Sequence, residues 1–337
     1  MPHSSRRVTL KDVGDHVGVS AKTVSNVVNG TGWVSDAVRL RIQEAIEELG
    51  YRPNAAARHL RSGNSGIVSL ALPNLREPYF AGLASSFVTE ARRRNLTVLV
   101  TQTDGDPKRE VAAIQGRDLP VLDGIICSPL SARAHDLGDH VPPVPVVLIG
   151  EYGEHLKVPT FSHVGIDNIA ASRAATAHLI AQGCRHLAVV GYQEDQSQAT
   201  SRLRFEGYRR ALDEAGLIFD PALVGAVSSF NLGEASQAVH SLVRSGRPFD
   251  GIVCFSDTMA LGALHALASE KLKVPEQIKL IGFDNIEEGR FSIPAFDTVD
   301  PRVELMASSA LDIIQARPRS GTRVRIPFEV LSRSTTS

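Results

Sequence analysis

The sequence predicts an α/β protein that carries a small helical head, and three observations lead to this fold class. Residues 1–60 contain three short helical patterns separated by tight-turn signals. From residue 67 onward, short apolar runs alternate with helical patterns, which predicts doubly wound parallel sheets with helices on both faces. Residues 62–66 between these regions read Ser-Gly-Asn-Ser-Gly, which is typical of a flexible linker.

The length allows at least two domains, because the chain has 337 residues and a domain takes about 100–200. We predict a helical head in residues 1–52, a hinge helix and linker in residues 53–66, and a body in residues 67–337. The body is too long for one comfortable sheet, so two similar lobes are expected.

Basic residues are concentrated in the head, although the formal net charge of the chain is only -1. Residues 1–62 contain nine Lys and Arg against six Asp and Glu, and the rest of the chain contains four more acids than bases. A basic head on an acidic body is expected when a nucleic-acid-binding module is joined to a module for another ligand.

The cysteines and the apolar runs indicate the compartment. Cys127, Cys184 and Cys254 are far apart and form no metal-binding pair, so we predict three buried, reduced thiols. The first seven residues lack the apolar stretch of a signal peptide, and no apolar run reaches the ~20 residues of a membrane span. We therefore expect a cytoplasmic protein without a membrane partner.

Helix start and stop signals define the head. Thr9 is a good N-cap for a first helix, Gly18 permits a sharp turn, and Ser20 can cap a second helix. A third helix starts at Ser35 and is ended by Gly50. Three short helices around a small aliphatic core, with a tight turn between the first two, predict a helix-turn-helix unit.

The second helix turns short polar or basic side chains outward: Ala21, Lys22, Ser25, Asn26 and Asn29. In a helix-turn-helix unit this helix lies in the major groove of DNA. Lys22 can donate to guanine acceptors, and Asn26 can pair bidentately with adenine. A small protein-interaction domain with solvated polar residues is the alternative that spacing alone leaves open.

Residues 51–60 predict a brief hinge helix capped by Asn54. This helix is shorter than the ~12–15 residues at which isolated helices become marginal, so it needs a partner that orders it. Its alanines permit close approach to a minor groove, and Leu60 can wedge between base pairs.

Ligands of doubly wound folds bind outside the carboxyl ends of the strands, and polar or aromatic residues follow several predicted strands. These candidates are Asn74, Glu77, Tyr79, Phe80, residues 193–201, Arg204, Ser256, Asp257, Asp284 and Asn285. Aromatic rings can stack on the C–H face of a sugar while charged groups hydrogen-bond its hydroxyls. The sequence therefore favours a sugar-like ligand.

Each candidate also has a purely structural interpretation. Tyr79 and Phe80 can belong to a core at the start of a helix. Arg204 is by default a solvated surface charge, and Asp257 is more simply the N-cap of the helix that it starts. Asp284 can cap a turn.

The motifs of common enzymes and metal sites are missing from the sequence. It has no Gly-rich phosphate loop, dinucleotide fingerprint, nucleophile elbow or metal-binding histidine pair. His178 and His186 fall on a predicted helix and the following strand, so we predict structural roles, because a metal site needs three or four converging ligands. We expect no catalytic residue, metal or cofactor.

The run from Val8 to Leu60 resembles the DNA-binding head and hinge of the lactose-repressor/galactose-repressor (LacI/GalR) family. The matching segments are Val8–Val13, Gly18–Ser20, Thr23–Ser25, Val28-Asn29, Val34-Ser35, Leu49–Tyr51 and Pro53–Arg58. By this resemblance the DNA-binding residues are Thr9, Leu10, Ser20, Ala21, Lys22, Ser25, Asn26, Asn29, Ser35, Asn54, Ala57 and Leu60. Many relatives carry Arg where this chain has Asn26, so we transfer no relative's operator to it.

The body resembles the effector domain of the same family, whose fold is similar to that of periplasmic sugar-binding proteins. The matching segments include Pro78–Phe80, Asp123–Ile126, Val164–Asn168, Phe255–Asp257 and Ile281–Asn285. The resemblance implies an effector cleft lined by Tyr79, Phe80, Arg204, Phe230, Ser256 and Asp284. It also implies an N-lobe of about residues 67–163 and 294–323 and a C-lobe of about residues 164–293 and 324–333.

Two departures from the family pattern leave the ligand open. Gly150-Glu151 replaces the acidic pattern that some sugar-specific relatives carry, and Asp300-Pro301 stands where many have a Gln-Pro pair. We expect a sugar or sugar derivative, with a nucleobase as the alternative. The sequence has no extended C-terminal leucine heptad, so a homodimer is a simpler expectation than a tetramer.

The resemblance implies a transcription regulator, most simply a repressor, that binds a near-palindromic DNA operator as a dimer under the control of a small molecule. The alternative is a sugar-binding protein or enzyme whose head serves only as an interaction module. Enrichment of a palindrome from random duplexes separates the two hypotheses.

Overall fold

The computed structural model of the chain describes residues 8–51, 64–137, 142–151, 158–194 and 199–336. The chain divides into two compact units, Met1–Ser65 and Gly66–Ser337. This division lies one residue from the predicted start of the body at residue 67. The predicted hinge helix falls outside the described residues.

Three helices form the head: α1 (Leu10–Val17), α2 (Ala21–Asn29) and α3 (Asp36–Glu48). The caps predicted for α1 and α2 are confirmed, because the hydroxyl of Thr9 accepts a hydrogen bond from the backbone N–H of Asp12 and that of Ser20 accepts one from Thr23. The Asp12 carboxylate accepts the backbone N–H of Thr9 in return, which completes a capping box. Ser35 occupies the N-cap position of α3 without a side-chain hydrogen bond.

A small aliphatic core holds the three helices together. Val13, Val24 and Ile42, one from each helix, are fully buried. Gly14 allows α1 to approach the following turn, since a Cβ there would lie 2.7 Å from the carbonyl oxygen of Val19. Full burial of such a side chain contributes about 1.5–3 kcal/mol, so the stability of this unit depends on few residues.

The body contains two parallel sheets, as the alternating pattern predicts. The first consists of β1 (Ile67–Leu72), β2 (Thr97–Gln102), β3 (Gly124–Cys127), β4 (Val146–Ile149), β5 (Ser162–Gly165) and β11 (Arg323–Arg325), in the order β11-β5-β4-β3-β1-β2. The second consists of β6 (Leu187–Tyr192), β7 (Val224–Ala226), β8 (Gly251–Cys254) and β9 (Lys279–Ile281), in the order β7-β6-β8-β9. Each sheet is the centre of one lobe.

Helices pack against both sheets. They are α4 (Pro78–Arg93), α5 (Pro107–Ile114), α6 (Asn168–Ala181), α7 (Ala199–Glu214), α8 (Leu232–Arg244), α9 (Asp257–Ser269), α10 (Glu287–Phe291) and α11 (Val303–Ala316). In the N-lobe, Phe87 of α4 and Leu311 of α11 belong to one buried cluster with Leu70 of β1. In the C-lobe, Tyr208 of α7 and Phe255 belong to another.

The crossings between the lobes lie a few residues from the predicted ones. Strand β10 (Thr298–Asp300) pairs antiparallel with β12 (Glu329–Leu331), and Asp297 bridges to Ile281 of the second sheet. Residues 297–300 therefore lie with the C-lobe, not with the N-lobe as predicted, and β11 extends the N-lobe to residue 325. These strands have three residues each, which is too short for an alternating pattern to reveal them.

Helix α11 is also absent from the predicted pattern, although the sequence carries its signal. Met306, Ala307, Ala310 and Ile314 are buried and stand at helical spacing.

The cysteines and His178 have the structural roles that the sequence predicts. Cys127, Cys184 and Cys254 are free and buried, and burial raises the pKa of each thiol. His178 forms a 2.8 Å hydrogen bond between Nε2 and the carboxylate of buried Asp297. Within the described ranges, no group of three or more His, Cys, Asp or Glu side chains could hold a metal ion.

Among the helices that the structure describes, none combines the length and apolar character needed to span a bilayer.

Candidate DNA-binding surface and candidate effector cavity

Helix α2 presents the candidate base-reading residues of the head on its exposed side. Val24 and Val27 are buried in the core of the head, and their spacing commits one side of the helix to packing. The other side is left to Lys22, which is exposed, and to Ser25 and Asn26, which are partly exposed. The structure thus places these three predicted residues on one accessible strip.

The loop after α2 restricts the side chain of Asn26. The backbone N–H of Thr31 donates to the carbonyl oxygen of Asn26. Gly32, at φ +71°, lies so close that a Cβ there would stand 2.8 Å from the Asn26 amide nitrogen. The next residue, Trp33, is 90% exposed and is the single tryptophan of the sequence. It was not among the predicted DNA contacts, although an aromatic residue beside a reading helix is a signal for one.

The other predicted DNA-binding residues have different placements. The hydroxyls of Thr9 and Ser20 serve as caps, and Leu10 packs against the core of the head. Ser35 is partly exposed at the start of α3. Ala21 and Asn29 begin and end α2, and Asn54, Ala57 and Leu60 fall outside the described residues.

A cavity of about 520 Å³ lies where the carboxyl ends of the two sheets of the body face each other. All six residues predicted to line an effector cleft line it: Tyr79, Phe80, Arg204, Phe230, Ser256 and Asp284. Its volume falls within the ~300–1,000 Å³ of small-molecule sites.

The strand-end rule that predicts the cleft accounts for four more lining residues, of which Asn74 was predicted and the other three were not. Asn74 follows β1, Gln102 ends β2, Ser128 follows β3 and Glu151 follows β4. Every one of these residues stands within two positions of the carboxyl end of an N-lobe strand. The sequence candidates were taken only from the ends of β1, β6, β8 and β9. The same rule applied to β2, β3 and β4 would also have found the rest of the N-lobe wall.

Arg204 is a buried residue, so its interpretation as a solvated surface charge is wrong. Its side chain is 7% exposed. Nε donates a 2.8 Å hydrogen bond to Oδ1 of Asn168, and Nη1 donates to the carbonyl oxygen of Phe255. The guanidinium carbon lies 3.4 Å from the ring centroid of Phe283, and Nη1 lies 3.7 Å from the Asp284 carboxylate. These contacts fix the guanidinium in the cavity wall.

Two polar contacts connect the lobes across the cavity. The hydroxyl of Thr258 on α9 donates to the carboxylate of Glu77 at the start of α4. Nη2 of Arg204 on α7 lies 3.5 Å from the carboxylate of Glu151, which follows β4. Burial raises the pKa of Glu77, and the hydrogen bond from Thr258 offsets part of that rise.

Asp257 is not the N-cap that the sequence predicts. Ser256 caps α9, because its hydroxyl accepts the backbone N–H of Met259. Asp257 is fully buried, where it accepts the backbone N–H of Ile286 and a 2.6 Å hydrogen bond from the hydroxyl of Thr298. Burial raises its pKa to about 7 against these hydrogen bonds. Asp257 therefore ties α9 to strand β10 and to the residue that precedes α10.

Tyr79, Phe80 and Asp284 also differ from their simplest interpretations. The rings of Tyr79 and Phe80 pack edge to face at 5.1 Å, contact the N-lobe core and line the cavity. The two residues therefore belong both to a core at the start of a helix and to the cavity wall. Within the described residues, the carboxylate of Asp284 caps no turn, and its one ion pair is with Arg204.

Comparisons with known proteins agree on the two units. Residues 9–54 match the family described as "bacterial regulatory proteins, lacI family". Residues 176–336 match the periplasmic binding protein-like domain. The HTH-type transcriptional repressor PurR of Aliivibrio fischeri (strain MJ11) is 30% identical over 96% of this chain and 95% of its own length.

Solved structures extend this likeness to the fold. A LacI-family transcriptional regulator from Sanguibacter keddieii DSM 10542 is 32% identical, with a TM-score of 0.74 over 81% of this chain and 99% of its own. The transcriptional regulator CelR in complex with cellobiose is 28% identical, with a TM-score of 0.68 over 98% of this chain and 100% of its own. The chain belongs to the LacI family of bacterial regulatory proteins, and it is a DNA-binding transcription regulator and not an enzyme.

Proposed function

We propose that this chain is a repressor that binds a near-palindromic operator as a homodimer, and that a sugar or sugar derivative bound in the cavity controls its affinity for DNA. A nucleobase is the alternative effector. The observation that carries the proposal is a cavity walled by both lobes and lined with rings, an arginine and carboxylates. The cytoplasmic location predicted from the sequence goes with it, because the operator is chromosomal DNA.

Helix α2 is the element that we assign to the major groove. The exposed Lys22 ammonium can donate to guanine O6 and N7, and the restrained amide of Asn26 can pair with adenine. Each good base contact contributes about 1–3 kcal/mol of discrimination against the wrong base. Two heads related by a dimer axis would read two half-sites, which makes the operator near-palindromic.

The path of the chain supports control of the head by the cavity. β1 begins two residues after Ser65, and its far end leads into Pro73 and Asn74 of the cavity wall. A ligand that replaces the Glu77–Thr258 contact changes how one lobe closes on the other. The coupling is reciprocal, so DNA binding changes ligand affinity by the same factor.

Selection from a random duplex pool tests the DNA-binding part. The full chain should enrich a near-palindrome, and Lys22→Ala should weaken binding by about 1–3 kcal/mol and relax specificity at one base pair of each half-site. Lys108→Ala, an exposed lysine at the start of α5, is the matched control. If the chain enriches no sequence even at low salt, where phosphate contacts are strongest, the head serves another purpose.

The hinge hypothesis has its own test. Leu60→Ala should lose operator bending and affinity while the cavity still binds its ligand. Normal operator binding by this variant would show that the hinge leucine is wrongly assigned.

Ligand control is tested by thermal-shift screening against sugars and nucleobases. A true effector raises the melting temperature by mass action and changes the gel-shift affinity for the selected duplex. A ligand that stabilises the body without changing DNA affinity would instead support a sugar-binding protein with an attached head.

A further inference from the structure

The cavity contains more acidic than basic side chains. Glu151 and Asp284 face the guanidinium of Arg204, and Glu77 lines the same cavity. Glu77 and Glu151 belong to the N-lobe wall. The wall also includes Asp104, which pairs with Arg109 from outside the cavity, and the exposed Arg76. The inner part of the cavity therefore carries three carboxylates against one cation.

The donors of Arg204 are largely used within the protein. Nε is taken by Asn168 and one N–H of Nη1 by the carbonyl oxygen of Phe255, while Nη2 faces Glu151 at 3.5 Å and Asp284 stands 3.7 Å from Nη1. A guanidinium has five N–H donors, so two of them are left for a ligand. A phosphate or carboxylate ligand that used these two donors would stand beside the carboxylates of Asp284 and Glu151, which repel it.

Two groups of the cavity wall, in contrast, have no hydrogen bond within the described residues. The side chain of Asp284 is 8% exposed, and among the described residues its oxygens accept no hydrogen bond, since Arg204 stands 3.7 Å away. Ser128 lines the same cavity and is 6% exposed, and among the described residues its hydroxyl makes no hydrogen bond. A buried carboxylate without donors is costly, and burial raises the pKa of Asp284 accordingly.

We propose that the effector is a polyhydroxylated molecule with a primary ammonium group, such as an amino sugar, and that the cavity rejects phosphorylated and acidic sugars. The inference deepens the proposed function and rests on the cavity being the effector site. An ammonium supplies three donors and a second positive charge to a cavity in which Glu77, Glu151 and Asp284 outnumber the guanidinium of Arg204. Tyr79 and Phe80 line the same cavity, where an aromatic face can stack on the carbon skeleton.

A matched ligand panel tests this charge selectivity on the full chain. Glucose, galactose and the disaccharide cellobiose are each compared with glucosamine, galactosamine and deacetylated chitobiose. The N-acetylated forms, the 6-phosphates and the uronic acids complete the panel. Calorimetry at pH 6.5, below the ~8 of an ordinary amino group, keeps the amines charged. At least one free amine should bind about tenfold or more tighter than both its neutral and its N-acetylated partner.

A charge-removing variant locates the effect. Glu77→Gln keeps the shape and a hydrogen-bonding group beside Thr258, and it should weaken amine binding about tenfold while neutral sugars change little. Glu276→Gln, an exposed residue outside the cavity wall, is the matched control. Equal affinity of neutral, acetylated and amine forms, or tighter binding of a phosphate or uronic acid, overturns the inference. So does a panel in which no amine binds.

These failures can be told apart from failure of the proposed function. If a neutral or acidic sugar binds and changes operator affinity, the charge inference is wrong and the effector site stands. If amino sugars bind with the expected preference but leave operator affinity unchanged, the charge inference stands and ligand control of DNA binding is wrong.

Discussion

The head and the body build their candidate sites in opposite ways. In the head, the reading residues lie within one nine-residue helix that packs on a core of a few aliphatic side chains. In the body, the cavity wall runs from Pro73 to Asp284 in sequence and is assembled from the strand ends of two sheets. The first site exists wherever α2 is folded, whereas the second exists only when both lobes are packed. We therefore expect each unit to unfold, and to lose its site, without unfolding the other.

The largest expected effect comes from Gly207→Val in the body. A Cβ at Gly207 would stand 2.3 Å from the backbone oxygen of Ile169 on α6, and the backbone of neither helix can yield. We expect a loss of more than about 4 kcal/mol in the unfolding free energy of the body, or no folded body at all. Hydrogen exchange of the full chain should show peptides of α1–α3 still protected.

Gly82→Ala in α4 is the control for this substitution. A Cβ there meets no atom within 4 Å, so alanine should stabilise the helix by up to about 1 kcal/mol. If the head of Gly207→Val loses its exchange protection together with the body, the two units do not unfold independently.

The next effect concerns the core of the head. Ile42 is fully buried, so Ile42→Ala should cost the head roughly 3–4 kcal/mol and abolish binding to the selected duplex. The melting temperature of the body should stay within error of the parent protein. Leu40→Ala, on the same helix but 58% exposed, should leave both measurements nearly unchanged. A fall in the body's melting temperature would mean that the two units unfold together.

The contrast between the units also explains what the sequence could predict. In the head, Thr9, Gly18 and Ser20 cap the ends of helices through contacts with residues three or four positions away. Local sequence patterns therefore predict where these helices start and turn. The parallel sheets were equally accessible to prediction, because strands such as Ile67–Leu72 are apolar at every position but one. The short strands β10, β11 and β12 were not, since each owes its geometry to a partner distant in the sequence.

The cavity marks the limit of such prediction. Its six named residues came from the family resemblance and the strand-end rule, and the structure brings all six together. The burial of Arg204 and the cap at Ser256 could not be predicted locally, because they depend on which distant residues fill the wall. The excess of carboxylates is likewise visible only when Glu77, Glu151 and Asp284 are placed side by side.

A smaller effect concerns the pH dependence of stability, which we expect to differ between the body and the head. The pKa of buried Asp257 is about 7, well above its value near 4 in an unfolded chain, so the folded body binds more protons between these values. This carboxyl favours the folded state at low pH, and its contribution is lost as the pH rises to 7 and is constant above. Between pH 5 and pH 8 the body should lose roughly 3 kcal/mol from this group alone.

Comparison with Asp257→Asn isolates that contribution. Denaturant unfolding at several pH values should give a stability difference between parent and variant that changes with pH, because the variant cannot titrate at this position. A constant difference from pH 5 to pH 8 would mean that Asp257 titrates at an ordinary pKa. The exchange protection of the head should be the same in both proteins at each pH.

The smallest effect sharpens the contrast inside the head itself. Thr9 caps α1 through a reciprocal pair of hydrogen bonds with Asp12, whereas Ser35 stands at the equivalent position of α3 and makes no such bond. Thr9→Ala should therefore destabilise the head by about 1 kcal/mol, and Ser35→Ala should cost distinctly less. Exchange rates of the α1 and α3 amides measure both. If the two variants lower the stability of the head equally, the hydroxyl of Thr9 does not act through its cap. A direct contact with phosphate is then the first alternative, and the salt dependence of operator binding tests it.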